Sequence, residues 1–360
     1  MDERVREHAA TLVDWSAQVE AGDDVVVSVG PEAHELAVAV AEALGERDAN
    51  MLATYKSGEL SRAYLRAHGG DFESDPDFER ALFERADAVL SLGGGRNSAA
   101  TADVPEATQS AYDRARRGIR AARLDTDWVK TLHPTHSLAQ RAGMAYEEYQ
   151  EFLYRAVLRD WESLAAEQER LKELLEDSQE VRIVAEGTDL TLDIGGRFAV
   201  NSCASVAYDS HNLPSGEVFT APRGCSGHVT FDVPMTIRDR RVRDVRLEFE
   251  DGEVTDMSAA QGESAIRSVL DTDAGAKRLG ELGIGMNRGI DRPTDTILFD
   301  EKMAGTVHLA LGRAYDDCIP AGETGNDSAV HVDLIASMGE ESGLELDGEP
   351  VQENGRFRWE

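Results

Sequence analysis

The sequence is poor in cysteine, poor in lysine and free of long apolar runs. Cysteine occurs only at Cys203, Cys225 and Cys318. The count is odd and no CxxC pair is present, so neither a disulfide framework nor a cysteine-based zinc or redox motif organises the chain. A reducing compartment is expected. The opening residues MDERVREHAATLVDW are charged throughout and lack the apolar stretch of a secretory signal. No segment approaches the ~18 uninterrupted apolar residues of a membrane helix. A soluble, cytoplasmic protein without a membrane partner is therefore expected. Positive charge is scarce too: 37 Lys and Arg against 69 Asp and Glu leave a formal net charge of -32. This balance supplies no phosphate-neutralising face, which argues against a nucleic-acid partner. The acidic residues are spread along the whole chain, as on a solvated surface adapted to high salt, where screening removes self-repulsion.

What is present divides into two halves, as 360 residues predict. Residues 1–178 alternate short apolar runs with helical periodicity. Asp24 to Val29, Ala49 to Tyr55, Asp87 to Gly93 and Gly118 to Leu124 read as strands, with helices over His34 to Leu44 and near Phe78 to Arg85. Such alternation implies a Rossmann-like parallel sheet. The run Gly93-Gly94-Gly95-Arg96-Asn97 lacks GxGxxG spacing and reads as a plain turn rather than a nucleotide site. One long amphipathic helix is expected from Tyr146 to about Leu175, with the domain boundary at its end, near Asp177 to Glu180. Residues 179–360 alternate apolar and polar positions between Gly and Asp-Gly turns, predicting a mixed, β-rich second domain. Asp251-Gly252 marks a hairpin, and Glu263 to Leu282 reads as a helix. The fold class expected is α/β followed by α+β.

Histidine is sparse, so its placement carries information. In SAVHVDLIA, residues His331 and Asp333 are two apart on a strand and project to one face. A metal is one partner for such a pair, and solvent is the other. His308 lies inside the apolar strand GTVHLALG, as a metal ligand or as a hydrogen-bonded core histidine. Tyr315 follows seven residues later, either packed or offering its phenol to a developing oxyanion. Pro214-Ser215-Gly216 reads as a turn that presents Glu217 at the start of a short strand. Glu281 stands alone among glycines and apolar residues, and Glu301 precedes the His308 strand. Glu217, Glu281, Glu301 and Asp333 bring four carboxylates and His308 and His331 two imidazoles. Two divalent ions would be neutralised by those carboxylates, and the mixed oxygen and nitrogen donors suit cobalt, zinc or manganese.

At these residues the sequence resembles the thermophilic-type metallo-aminopeptidases, the aminopeptidase T and aminopeptidase S family. The resemblance rests on HNLPSGEVFTAP (211–222), GELGIGMNRGI (280–290), LFDEKMAGTVHLALGRAY (298–315) and SAVHVDLI (328–335), with HPTHSLAQRAGMAYEEYQEF (133–152) ahead of them. It implies removal of N-terminal residues from peptides with a free N-terminus by a homodimer, and the acidic surface makes a halophilic member the expectation. It also implies that Glu217, Glu281, Glu301, His308, His331 and Asp333 ligate two metals. Tyr315 would then hold the oxyanion and Glu281 move the water proton. Glu301 sits at an odd offset from His308, so it reaches the site only if the chain turns, at Gly305. His211 and His228 match no ligand position. Met286 stands where the family more usually has threonine, and the chain is shorter than the best-known members. Ligand spacing alone leaves open a dinuclear hydrolase of another amide or ester.

Overall fold

The computed structural model describes residues 1–97, 99–237 and 240–360. These form two compact units, Met1–Leu158 with Ala204–Pro214, and Arg159–Cys203 with Ser215–Glu360. Among the described residues no helix is long and apolar enough to cross a membrane.

The first unit is α/β. Its parallel sheet runs in the order Asn50–Tyr55, Asp24–Val29, Ala88–Gly93, Asp127–Leu132 and Asn212–Leu213. Val25, Val26, Val27, Val89, Leu90 and Leu92 are all buried, as strands covered on both faces require. The segment Gly118 to Leu124, expected as a strand, lies in the helix Arg117–Leu124. Its apolar residues are spaced for a helix: Ile119 and Ala122 pack together against Val26, Phe83 and Val89. The next strand is Asp127–Leu132 instead. Gly93 ends its strand and Gly94 and Gly95 follow in irregular backbone, where the Gly94 carbonyl accepts from the Glu32 amide at 2.9 Å. His211 stacks on Trp128 with ring centroids 4.4 Å apart.

The expected single helix from Tyr146 to Leu175 is two, Tyr146–Val157 and Trp161–Glu176. The break is chemical. The Asp160 side chain accepts from the Ser163 amide at 3.0 Å and from its hydroxyl at 2.7 Å, capping a new helix. That second helix groups with the second unit, so the division falls at 158 rather than near 178, and residues 204–214 return to the first unit. The reason lies in its polar anchors. Gln168 is fully buried and donates to the carbonyls of Ser202 and Glu217, and Asn201 donates to the Ala165 carbonyl at 3.0 Å.

The second unit contains two antiparallel sheets. One has nine strands and includes the hairpin Arg240–Glu250 and Glu253–Gln261, which turns at Asp251-Gly252. The other has five, in the order His331–Ser337, Thr306–Gly312, Leu279–Gly285, Glu217–Thr220 and Ala199–Ser202. The helix expected from Glu263 to Leu282 ends at Leu270, and residues from Leu279 onward are strand. Asp273 accepts from the Ala276 amide at 2.8 Å and redirects the chain between them. Glu281 thereby sits on a strand, where alternation decides its direction. Paired across this sheet, Val218, Ile284 and Val307 form one apolar row and Leu282, Leu309 and Leu334 another, all at most 1% exposed. Burial of each stabilises the sheet by about 1.5–3 kcal/mol.

One buried titratable group sets an acid limit on the first unit. His8 is fully buried, with Nε2 2.7 Å from the Thr131 hydroxyl, and burial pushes its imidazole down to about 3. An unfolded histidine takes a proton below about pH 6.5. Between that pH and 3 the unfolded chain therefore binds more protons, and stability falls as pH falls. Unfolding free energy measured from pH 7 to 4 should decline, and the decline should be shallower in His8→Gln, by up to about 1 kcal/mol per pH unit.

Candidate metal centre

The face of the five-stranded sheet opposite its apolar rows is built from alternate residues. Directly opposed positions share a face, so the register places Glu217 against Gly285, His308 against Gly283, Glu281 against Ala310, and Ala310 against Asp333. Glycine and alanine thus form a floor from which the charged side chains stand. His331 and Asp333 project together from their strand, as the two-residue spacing predicts. At Gly283 the floor must be glycine, because a Cβ there would lie 2.0 Å from the His308 ring.

The side chains meet. His308 Nε2 lies 3.1 Å from Glu281 Oε1 and 3.6 Å from Glu217 Oε2, and His331 Nε2 lies 3.4 Å from both Glu281 Oε2 and Asp333 Oδ1. Single donor atoms of Glu281, His331 and Asp333 all fall within 4.8 Å of one another, a group able to hold a metal ion. His331 Nδ1 donates to the Arg313 carbonyl at 2.8 Å, which leaves Nε2 for the carboxylates or a metal.

Glu301 is brought in by a turn. It follows the short helix Ile297–Asp300, and the chain reverses at Gly305, with φ of 76°, before the strand Thr306–Gly312. Sequence reasoning missed its neighbour. Lys302 is fully buried, and its ammonium pairs with Glu301 and, at 3.3 Å, with Glu217 Oε1. A lysine between Glu301 and Met303 in a lysine-poor chain was the available signal. Asp300 was missed as well. It accepts from the Thr294 amide and hydroxyl at 2.7 and 2.8 Å, and burial raises its carboxyl to about 6. Tyr315 borders the cluster, its ring centroid 4.8 Å from that of His331 and 5.6 Å from that of Phe219. His228 lies in the nine-stranded sheet, outside the cluster.

The electrostatics are those of a crowded acidic pocket. Burial raises the carboxyls of Glu217, Glu281 and Glu301 above the usual range. Burial acts the same way on Asp333, but His331, His308 and Lys302 outweigh it and hold Asp333 low. Burial would lower His308 and His331; the facing carboxylates overcome it and raise them to about 10 and about 9. The Oε2 atoms of Glu217 and Glu281 are buried without a hydrogen bond. Each faces an imidazole nitrogen only at 3.4–3.6 Å; a buried carboxylate oxygen without a hydrogen bond is costly, and a divalent cation would satisfy it. The residues therefore fit a metal.

A model of the thermophilic metalloprotease family (M29) matches residues 1–357. Aminopeptidase PepS of Streptococcus thermophilus is 26% identical over an alignment 411 positions long, covering 98% of this chain and 97% of the relative. Aminopeptidase T of Thermus aquaticus is 29% identical over an alignment 407 positions long, covering 99% and 98%. Among solved structures, wild-type AmpT from Thermus thermophilus is similar with a TM-score of 0.86 at 26% identity, over 99% of both chains.

Gly283→Ala tests the floor. The added methyl must push the His308 ring aside, so zinc affinity measured by titration calorimetry should fall about 10–100-fold, the loss usual when a ligand's support is disturbed. Circular dichroism should show an intact fold.

Proposed function

The chain belongs to the thermophilic metalloprotease family, and from that premise we propose that it is an aminopeptidase acting on peptides with a free N-terminus through two divalent ions. The observation that carries this reading is the convergence of Glu281, His331 and Asp333 donor atoms within 4.8 Å, beside buried carboxylate oxygens that make no hydrogen bond. Aminopeptidase names among whole-length relatives support the substrate class. Glu217, Glu281, Glu301, His308, His331 and Asp333 would hold the metals. Cobalt, zinc or manganese would supply a Lewis acid for the scissile carbonyl and a water acidic enough to ionise near neutral pH.

The chain's own groups supply the rest. Glu281, with its carboxyl held high by burial, is suited to take a proton from water and return it to the leaving amine. Tyr315 is 47% exposed, and its partial burial together with the carboxylates of Glu281, Asp333, Glu301 and Glu217 raises the phenol above its ordinary range. It therefore remains a hydrogen-bond donor at any working pH and would steady the developing oxyanion. Three buried free cysteines fit a reducing cytoplasm. A homodimer and a preference for high salt complete the proposal.

The test is hydrolysis of a leucyl chromogenic substrate in molar potassium chloride, with EDTA and then with cobalt, zinc or manganese restored. Metal-dependent cleavage of the free amine, with the N-acetylated substrate resistant, is the expected result. Equal cleavage of the acetylated substrate would move the assignment to a general amide or ester hydrolase, and folded protein inactive with every metal would defeat it. Tyr315→Phe should lower kcat by about 10²–10³-fold, the usual cost of one oxyanion donor, with KM little changed.

A further inference from the structure

Lys302 is fully buried, and it lies beside the buried carboxylates of Glu217 and Glu301. Burying an ammonium is costly unless it is paired, and this one is paired twice, with Glu217 Oε1 at 3.3 Å and with Glu301. Its backbone is fixed as well. The Lys302 amide donates to the Phe299 carbonyl at 3.0 Å, and its carbonyl accepts from the Asn287 amide at 3.0 Å. The approach depends on Gly285, the residue opposite Glu217 in the sheet. A Cβ at Gly285 would meet the Met303 carbonyl oxygen at 2.1 Å and the Lys302 carbonyl carbon at 2.9 Å. The missing side chain lets the 302–303 backbone lie on the floor directly by Glu217. Sequence, register and packing thus converge on one contact.

Resting on the two-metal reading above, we propose that Lys302 is a positioning residue of the metal centre: an internal cation that holds Glu217 and Glu301 ready as ligands for one of the two ions. The two glutamates come from separate segments, and each would otherwise face the other as a like charge across a buried space. The ammonium offers three donors, so it fixes both side chains without consuming every carboxylate oxygen. Glu217 Oε2 stays free of hydrogen bonds. Glu281, His331 and Asp333 make no hydrogen bond to Lys302 and converge without it. Direct contact therefore serves the Glu217 and Glu301 end of the pocket, while Lys302 reaches Asp333 only through its charge.

Equilibrium dialysis of the full chain against zinc, with bound metal counted by atomic emission, separates the two readings. Wild type binding two ions per chain supports the two-metal reading; fewer than two overturns that reading and the role of Lys302 with it. In Lys302→Met the dissociation constant of one ion should rise about 10–100-fold, as for loss of an outer-shell partner, while the other stays within about 3-fold. Both constants unchanged, or both raised together, overturn the proposal, since a general loss of structure would not single out one ion. If Lys302→Met does not fold by circular dichroism, Lys302→Gln is measured instead. It keeps a donor for the carboxylates without the charge and should show the same one-sided loss at smaller size; equal constants there overturn the proposal equally.

Discussion

Carboxylates brought together away from water repel one another, and that repulsion is the constraint on which the second unit turns. Glu217 and Glu281 are about 95% buried, and the side chains of Glu301 and Asp333 are about 85% buried. The protein offsets the repulsion with His308, His331 and Lys302, each within about 4 Å of a carboxylate oxygen. Removing one partner of such a buried set strands the other charges, typically at several kcal/mol, whereas the intact set contributes little net stability. The cluster is therefore poorly explained as a device for folding. It is well explained as a site whose acidic excess a divalent cation completes.

The sheet makes this arrangement possible by dividing labour between its faces. The rows Val218, Ile284, Val307 and Leu282, Leu309, Leu334 hold the strands to the core, while their alternate neighbours are free to carry charge. The same alternation forces small residues into the gaps. Gly283 makes room for an imidazole and Gly285 for the backbone that delivers Lys302. Their place in GELGIG follows from what stands over them.

Much of this was legible in the sequence because it rests on short-range rules. The period-two spacing of His331 and Asp333 predicted their shared face, the Pro-Ser-Gly turn predicted Glu217 opening a strand, and the offset of Glu301 from His308 required the turn found at Gly305. What was not legible depended on tertiary partners. The helix break at Asp160 is a capping event inside a continuous amphipathic pattern. Gly118 to Leu124 carries too few apolar residues to separate period two from period 3.6 until Ile119 and Ala122 meet Phe83. The burial of Lys302 was not legible, since it comes from Gly285 and Glu217, distant in sequence.

The central claim is that this sheet face holds a pair of metal ions. Crystals of the zinc-loaded chain, recorded above and below the zinc absorption edge, test it most directly. The account predicts two anomalous peaks about 3.5–4 Å apart, with Glu281 contacting the pair and His308 and His331 each about 2.0–2.1 Å from zinc. A single peak, or peaks only away from Glu281, His331 and Asp333, would contradict it.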